Sequence, residues 1–178
     1  MAAPEKVYLS SGSNMGDGRA ILSRAAEAVE NVSGLRALGR SSIYYTEPQE
    51  DPNQPWFYNQ ALCLESELEP IKLLQALQSL EAAFGRRRQE RRYGPRSLDL
   101  DLLLHGDRVL NAPGLCLPHP RLDRRAFVLV PLLEIAPELI LPDGRKVADL
   151  LARIDFTLNN DCIRQKQQGT LRTLRRNI

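Results

Sequence analysis

The chain has 178 residues, 43% of them hydrophobic and 26% charged, with a formal net charge of +2. That length suits one compact domain with a sizeable core; no apolar run is long enough to span a bilayer, and the N-terminus lacks the charged-then-apolar profile of a secretory signal. Three cysteines, Cys63, Cys116 and Cys162, stand far apart without a C-x-x-C pair, which argues against a zinc knuckle or disulfide framework and for reduced thiols in a cytoplasmic protein.

Over residues 5–12, Val7, Tyr8 and Leu9 followed by Ser-Gly-Ser-Asn predict a strand that runs into a turn. Asp17 is placed to cap a helix in which Ile21, Leu22, Ala25, Ala26, Val29 and Val32 form one apolar face, ended by Gly34. Residues 35–46 read as a second strand. The segment 46–56 holds three prolines and reads as a loop, and 56–68 returns to strand character. Pro70 suits the first turn of a helix, where its missing N–H is not needed. Leu73, Leu77, Leu80 and Phe84 give that helix a buried stripe, and Gly85 stops it.

An arginine-rich loop follows, with six arginines and one acid, Glu90, in residues 86–96. Then come a strand at 97–105, a turn or hairpin around 106–117, a helix at 126–137 interrupted by Pro131, a turn at 142–144 and a short helix at 147–151. The order β-α-β-β-α-β predicts an α+β fold of the ferredoxin-like kind, a mostly antiparallel sheet with helices packed on it, plus a C-terminal helical segment. Residues 1–155 read as a single domain. Residues 156–178 read as a basic tail or a loosely docked helix.

The stretch Arg91-Arg92-Tyr93-Gly94-Pro95-Arg96-Ser97-Leu98-Asp99-Leu100-Asp101-Leu102 carries the chemistry. Side chains alternate across a strand, so Asp99 and Asp101 share one face with Cβ atoms roughly 6–7 Å apart, while Leu98, Leu100 and Leu102 enter the core. Two such carboxylates suit Mg²⁺, which takes oxygen ligands and is usually held by one or two carboxylates plus substrate phosphates. They also suit the solvent face of a half-exposed strand, the commoner meaning of an isolated D-x-D. The neighbouring arginines shift the balance. Arginine forks bind phosphate oxygens bidentately, and polyphosphate chemistry needs both arginines and metal. There is no P-loop and no dinucleotide fingerprint.

RYGPRSLDLDLLLHG resembles the signature of the 6-hydroxymethyl-7,8-dihydropterin pyrophosphokinases of the folate pathway. YLSSGSNMGD, FYNQAL and LPHPRLDRRAFVLVPLLEIAPEL resemble further stretches of that family in the same order, and the likeness runs from about residue 6 to 152. The resemblance implies transfer of the β,γ-pyrophosphoryl group of ATP to the pterin hydroxymethyl oxygen, with release of AMP. It implies two Mg²⁺ ions, bound with ATP, on Asp99 and Asp101. Thr46, Phe57, Asn59 and Phe127 match pterin-binding positions. Gln78, Glu81, Arg88, Arg92, His119 and Arg125 match nucleotide-binding positions. Arg86 and Arg96 join the two aspartates as catalytic residues, and Tyr93 caps a lid spanning 86–96. Tyr93 stands where many members carry tryptophan, and Glu47-Pro48 where many carry Pro-Pro. ATP and a reduced pterin alcohol are the expected partners of a monomer, with no nucleic acid and no membrane. An RNA-binding module and a different Mg²⁺-dependent nucleotidyl transferase are the alternative readings.

Overall fold

The structure is a computed structural model that describes residues 3–49, 51–86 and 94–166. Its frame is a mostly antiparallel seven-stranded sheet with two helices on each face. β1 (Glu5–Ser13) runs up the middle, antiparallel to both β4 (Phe57–Ser66) and β5 (Asp99–His105). β2 (Leu35–Arg40) and β3 (Tyr44–Thr46) both pair with β4 on its far side.

On one face, Val7, Leu9, Leu62, Leu64, Leu100 and Leu102 pack against α1 (Gly18–Glu30) and α2 (Pro70–Ala83). Asp17 accepts a hydrogen bond from the Ala20 N–H and caps α1 as its position predicts. Pro70 opens α2, and Gly85, at φ +88°, turns the chain out of it in the left-handed region. On the other face, Tyr8, Ala61, Cys63 and Leu103 pack against α3 (Ala126–Ile135) and α4 (Val147–Leu151). β6 (Leu110–Ala112) and β7 (Leu115–Leu117) form the hairpin expected after β5.

Three expectations are corrected. The strand over 35–46 is two strands. Between them the Ser41 N–H still donates to the Ala61 carbonyl, but the Ser41 hydroxyl accepts from the Ala61 N–H, and Glu134 of α3 accepts from the Ser42 N–H and the Tyr44 hydroxyl, so side chains take part of the pairing from the ladder. α3 runs through Pro131 without a break. A proline inside a helix costs about 3 kcal/mol; here the neighbouring Val128, Leu129 and Leu132 are all buried and hold the helix in place.

The third correction concerns the tail. Phe156–Asn159 and Cys162–Gln165 are strands, β8 and β9, joined through Asn160 in the left-handed conformation that asparagine tolerates. β9 adds to the sheet in parallel beside β3. Ile163, 1% exposed, locks it against Ala126 and Val130 of α3. The short, polar strands carry too little hydrophobic periodicity to be read from sequence. The basic positions Arg172, Arg175 and Arg176 lie outside the described residues. No helix among the described residues is long and apolar enough to cross a membrane.

Ile163→Ala should cost about 2–4 kcal/mol in a urea melt, as buried large-to-small changes do. A change within about 0.5 kcal/mol, typical of exposed positions, would mean that the hairpin is undocked.

Candidate active site

The register of the three central strands builds the site. Gly12 lies opposite Asp99 on one side and Asn59 on the other, and Ser10 lies opposite Asp101. Opposed residues share a face, so all of these project on the side of the sheet that carries α3. There they line one cleft with Thr46, Phe57, Arg96, Arg125 and Phe127. The side chains of Leu98, Leu100 and Leu102 turn to the opposite side, each at most 4% exposed.

A second cavity adjoins the first. Its walls include Leu74, Leu102, Gly114, Cys116 and His119, and it shares Asp101 with the aromatic cleft. Asp101 therefore stands at the junction of two spaces.

Cations surround the carboxylates unevenly. Arg96 Nη1 donates to Asp99 Oδ2 at 2.5 Å, and Arg86 Nη1 lies 2.8 Å from Asp99 Oδ1. Among the described residues, Asp101 has only Arg125 within ion-pair range, at 4.0 Å. Its pKa is accordingly pushed up to about 6, first by burial in the cleft and then by the charge on Asp99, with Arg125, Arg96 and Arg86 opposing. The carboxyl is ringed by protein, although 36% of the side chain is still reached by solvent.

Glu81 is buried at the end of α2. It accepts from the Leu100 N–H at 2.7 Å and pairs with Arg86. Burial raises its pKa against the pull of these two donors. Its carboxylate ties α2 to β5 and aims Arg86 at Asp99.

His119 is held neutral. Burial, then Arg125 and Arg121, push its pKa down to about 4. Its Nδ1 accepts from the Arg121 N–H, which leaves Nε2 as the protonated nitrogen. The ring therefore offers a neutral N–H donor to the second cavity.

In the aromatic cleft, Asn59 Nδ2 donates to Thr46 Oγ1 at 2.6 Å, fixing the amide. A Cβ at Gly12 would come within 2.9 Å of Asn59 Oδ1, so only glycine leaves that amide where it is. Phe57 and Phe127 line the same space, and the Arg125 guanidinium lies 5.3 Å from the Phe127 ring centre.

The structure thus brings Thr46, Phe57, Asn59, Arg96, Asp99, Asp101, Arg125 and Phe127 to one cleft, with Arg86 on Asp99 and His119 on the adjoining cavity. It does not bring Gln78 and Glu81 to either cavity: Gln78 is exposed on α2, and Glu81 is turned inward by Leu100 and Arg86. Arg88, Arg92 and Tyr93 lie outside the described residues, as does most of the expected lid.

Sequence reasoning missed Asn14. Its Oδ1 accepts from the Arg96 N–H at 2.7 Å, its own N–H donates to Arg96 O, and its Nδ2 reaches Gln54 and Pro55 O. One side chain thereby pins the end of the arginine loop to the loop before β4. The Ser-Gly-Ser-Asn turn was the available signal, but nothing local says what an asparagine at a strand end will hold.

Residues 8–137 match the family described as 7,8-dihydro-6-hydroxymethylpterin-pyrophosphokinase (HPPK). The chain belongs to the HPPK family. It is 42% identical over 152 residues to the 2-amino-4-hydroxy-6-hydroxymethyldihydropteridine pyrophosphokinase of Pseudomonas aeruginosa, covering 85% of this chain and 93% of that one. It is 45% identical over 150 residues to the protein of that name from Methylorubrum extorquens, covering 84% and 94%. Among solved structures, Plasmodium falciparum HPPK-DHPS with pteroate superposes with a TM-score of 0.67 at 11% identity, over 94% of this chain. The chain spans about half of that longer protein, at 48%, and the likeness is one of fold. The HPPK match takes in every residue of the cleft from Ser10 to Phe127 and stops before the C-terminal hairpin.

Because the Asp101 pKa is raised in the folded protein, ionising that carboxyl costs folding stability above about pH 6 and costs nothing below the ordinary aspartate value. Asp101→Asn is permanently neutral. Without divalent cations it should be more stable than wild type at pH 8, by roughly 1 kcal/mol once solvent screening of the partly wetted carboxylate is allowed for. The advantage should fade as pH falls from 6 to 4. Denaturant melts across that range check this, and a variant less stable than wild type at pH 8 would contradict it.

Proposed function

We propose that this chain catalyses the HPPK reaction through the Asp99–Asp101 pair. The β,γ-pyrophosphoryl group of ATP passes to the hydroxymethyl oxygen of 6-hydroxymethyl-7,8-dihydropterin. The alcohol oxygen forms a bond to the β-phosphorus, the bond from that phosphorus to the α-phosphate oxygen breaks, AMP leaves, and the alcohol proton passes to water. The observation that carries this reading is the position of Asp101, where a cleft walled by two phenylalanines meets a second cavity.

The aromatic cleft suits the pterin. A flat heterocycle gains from contact with ring faces, and Phe57 and Phe127 offer them. Asn59, held by Thr46, offers a fixed amide to an edge that both donates and accepts. The second cavity suits the nucleotide, with the neutral His119 N–H as a donor to an anionic or hydroxyl oxygen.

Asp99 and Asp101 fit Mg²⁺. Both are hard oxygen donors, they repel one another, and among the described residues Asp101 has Arg125 at the limit of ion-pair range. Among the described residues no third His, Cys, Asp or Glu joins them, which leaves coordination positions for phosphate oxygens and water. When bound, Mg²⁺ supplies the positive charge that lets a triphosphate approach two carboxylates; two ions, bound with ATP, are our reading of the count.

The protein's own groups do the remaining work. Glu81 and Asn14 hold Arg86 and Arg96 at the cleft, where phosphate charge gathers. Arg125, between Asp101 and the Phe127 ring, spans the pterin and phosphate sides. Fixed orientation of an alcohol against a phosphorus lowers the barrier by removing translational and rotational freedom.

Incubation with ATP, Mg²⁺ and the reduced pterin alcohol should yield AMP and the pterin diphosphate. Release of inorganic pyrophosphate instead, or no consumption of ATP, would overturn the proposal. Asp101→Ala should lower kcat by at least about 10²–10³-fold, the scale on which loss of a charge-stabilising group is felt, with the fold intact by circular dichroism. Phe57→Ala should weaken pterin binding about tenfold, roughly 1.4 kcal/mol, and ATP binding much less; the reverse ranking in calorimetry would mean that the pterin lies elsewhere.

A further inference from the structure

The hairpin of β8 and β9 lies beyond the stretch that matches the HPPK family, yet it touches both walls of the aromatic cleft. Arg125 starts α3 without a side-chain cap, so the first N–H groups of that helix need outside acceptors. Gln165 on β9 provides one. Its Oε1 accepts from the Ala126 N–H at 2.7 Å, and its Nε2 donates to the Arg124 carbonyl at 2.8 Å. One amide thereby fixes backbone groups on both sides of Arg125, whose side chain lies against Asp101 and Phe127.

The same strand grips the opposite wall. The Gln165 carbonyl accepts from Gln49 Nε2 at 3.4 Å, and the Ile163 carbonyl accepts from the Glu47 N–H at 3.3 Å. Gln49 and Glu47 both line the cleft. Next to Gln165, the Arg164 guanidinium sits 5.0 Å from the ring centre of Trp56, the residue before Phe57.

We propose that Gln165 is a positioning residue for the pterin pocket, setting the spacing between the wall that carries Arg125 and Phe127 and the loop that carries Glu47 and Gln49. The inference rests on the reading of that cleft as the pterin site. Gln165 touches no reacting atom in this scheme. It acts by holding the N-terminus of α3, and only a side chain with both a donor and an acceptor at this reach satisfies the Ala126 N–H and the Arg124 carbonyl together.

The test is pterin binding in the absence of ATP, followed by fluorescence, beside thermal melts of the same proteins. Gln165→Leu should bind the reduced pterin alcohol about tenfold more weakly, the scale of one or two lost hydrogen bonds. Gln165→Glu keeps the acceptor for Ala126 and sets a second acceptor against the Arg124 carbonyl, so it should fall between Gln165→Leu and wild type. Leu150→Ala thins the core under α4 at a residue that lines neither cavity, and controls for lost stability. It should lower Tm and leave pterin affinity unchanged.

If Gln165→Leu does not fold, Gln165→Glu carries the test, with binding about threefold weaker expected. A folded Gln165→Leu that binds within twofold of wild type would overturn the inference alone. So would equal weakening in Gln165→Leu and Leu150→Ala, or Gln165→Glu matching wild type when Gln165→Leu is unfolded. A wild-type protein that does not bind the pterin would overturn the reading of the cleft and this inference with it.

Discussion

Asp99 and Asp101 stand on a strand whose leucines, Leu100, Leu102, Leu103 and Leu104, are packed into the core. Burying a carboxylate beside another is unfavourable unless cations or hydrogen-bond donors compensate it. The compensation here is asymmetric. Among the described residues, Arg86 and Arg96 both reach Asp99, whereas Asp101 has Arg125 at the limit of ion-pair range. Much of the local architecture maintains that asymmetry. Glu81 bridges α2, Arg86 and the main chain of β5. Asn14 clamps the main chain of Arg96. Without these, two flexible arginines would have no fixed relation to the strand.

The same face of the sheet has to stay open in front of the carboxylates and closed behind them. Gly12 keeps the middle of the face low, because any larger residue would displace Asn59. α3 covers the sheet further along, over Tyr8, Ala61 and Leu103, and its N-terminus delivers Arg125 and Phe127 to the rim. The cleft is the part of the sheet that the helix leaves bare. Its chemistry follows from the order of side chains along β1, β4 and β5, and its width follows from where α3 begins.

Much of this was legible in the sequence. Alternation in SLDLDLLLH placed both aspartates on one face and Leu98, Leu100 and Leu102 on the other. Pro70, Asp17 and Gly85 marked helix ends through conformational preferences that are local. The motif likeness brought Phe57, Asn59, Arg125 and Phe127 together before any contact was known. What was not legible depends on long-range partners. Glu81 sits on the inner side of an amphipathic helix, and only the position of Leu100 explains a carboxylate there. Gln165 lies in a polar, basic segment whose strands form because β3 offers an edge and α3 offers Ile163 a pocket. Neither condition is written near residue 165. The break between β2 and β3 likewise needs Glu134, some ninety residues away.

The central claim is that the two carboxylates, acting together, hold divalent cation and nucleotide at the junction of the two cavities. The direct measurement is Mn²⁺ binding followed by electron paramagnetic resonance in the presence of a non-hydrolysable ATP analogue, with wild type beside the Asp99→Asn/Asp101→Asn double variant. The account predicts that wild type sequesters the metal–nucleotide complex and that the folded double variant does so at least tenfold more weakly, since Mn²⁺ like Mg²⁺ takes carboxylate oxygen ligands. Equal sequestration by the two proteins would contradict it.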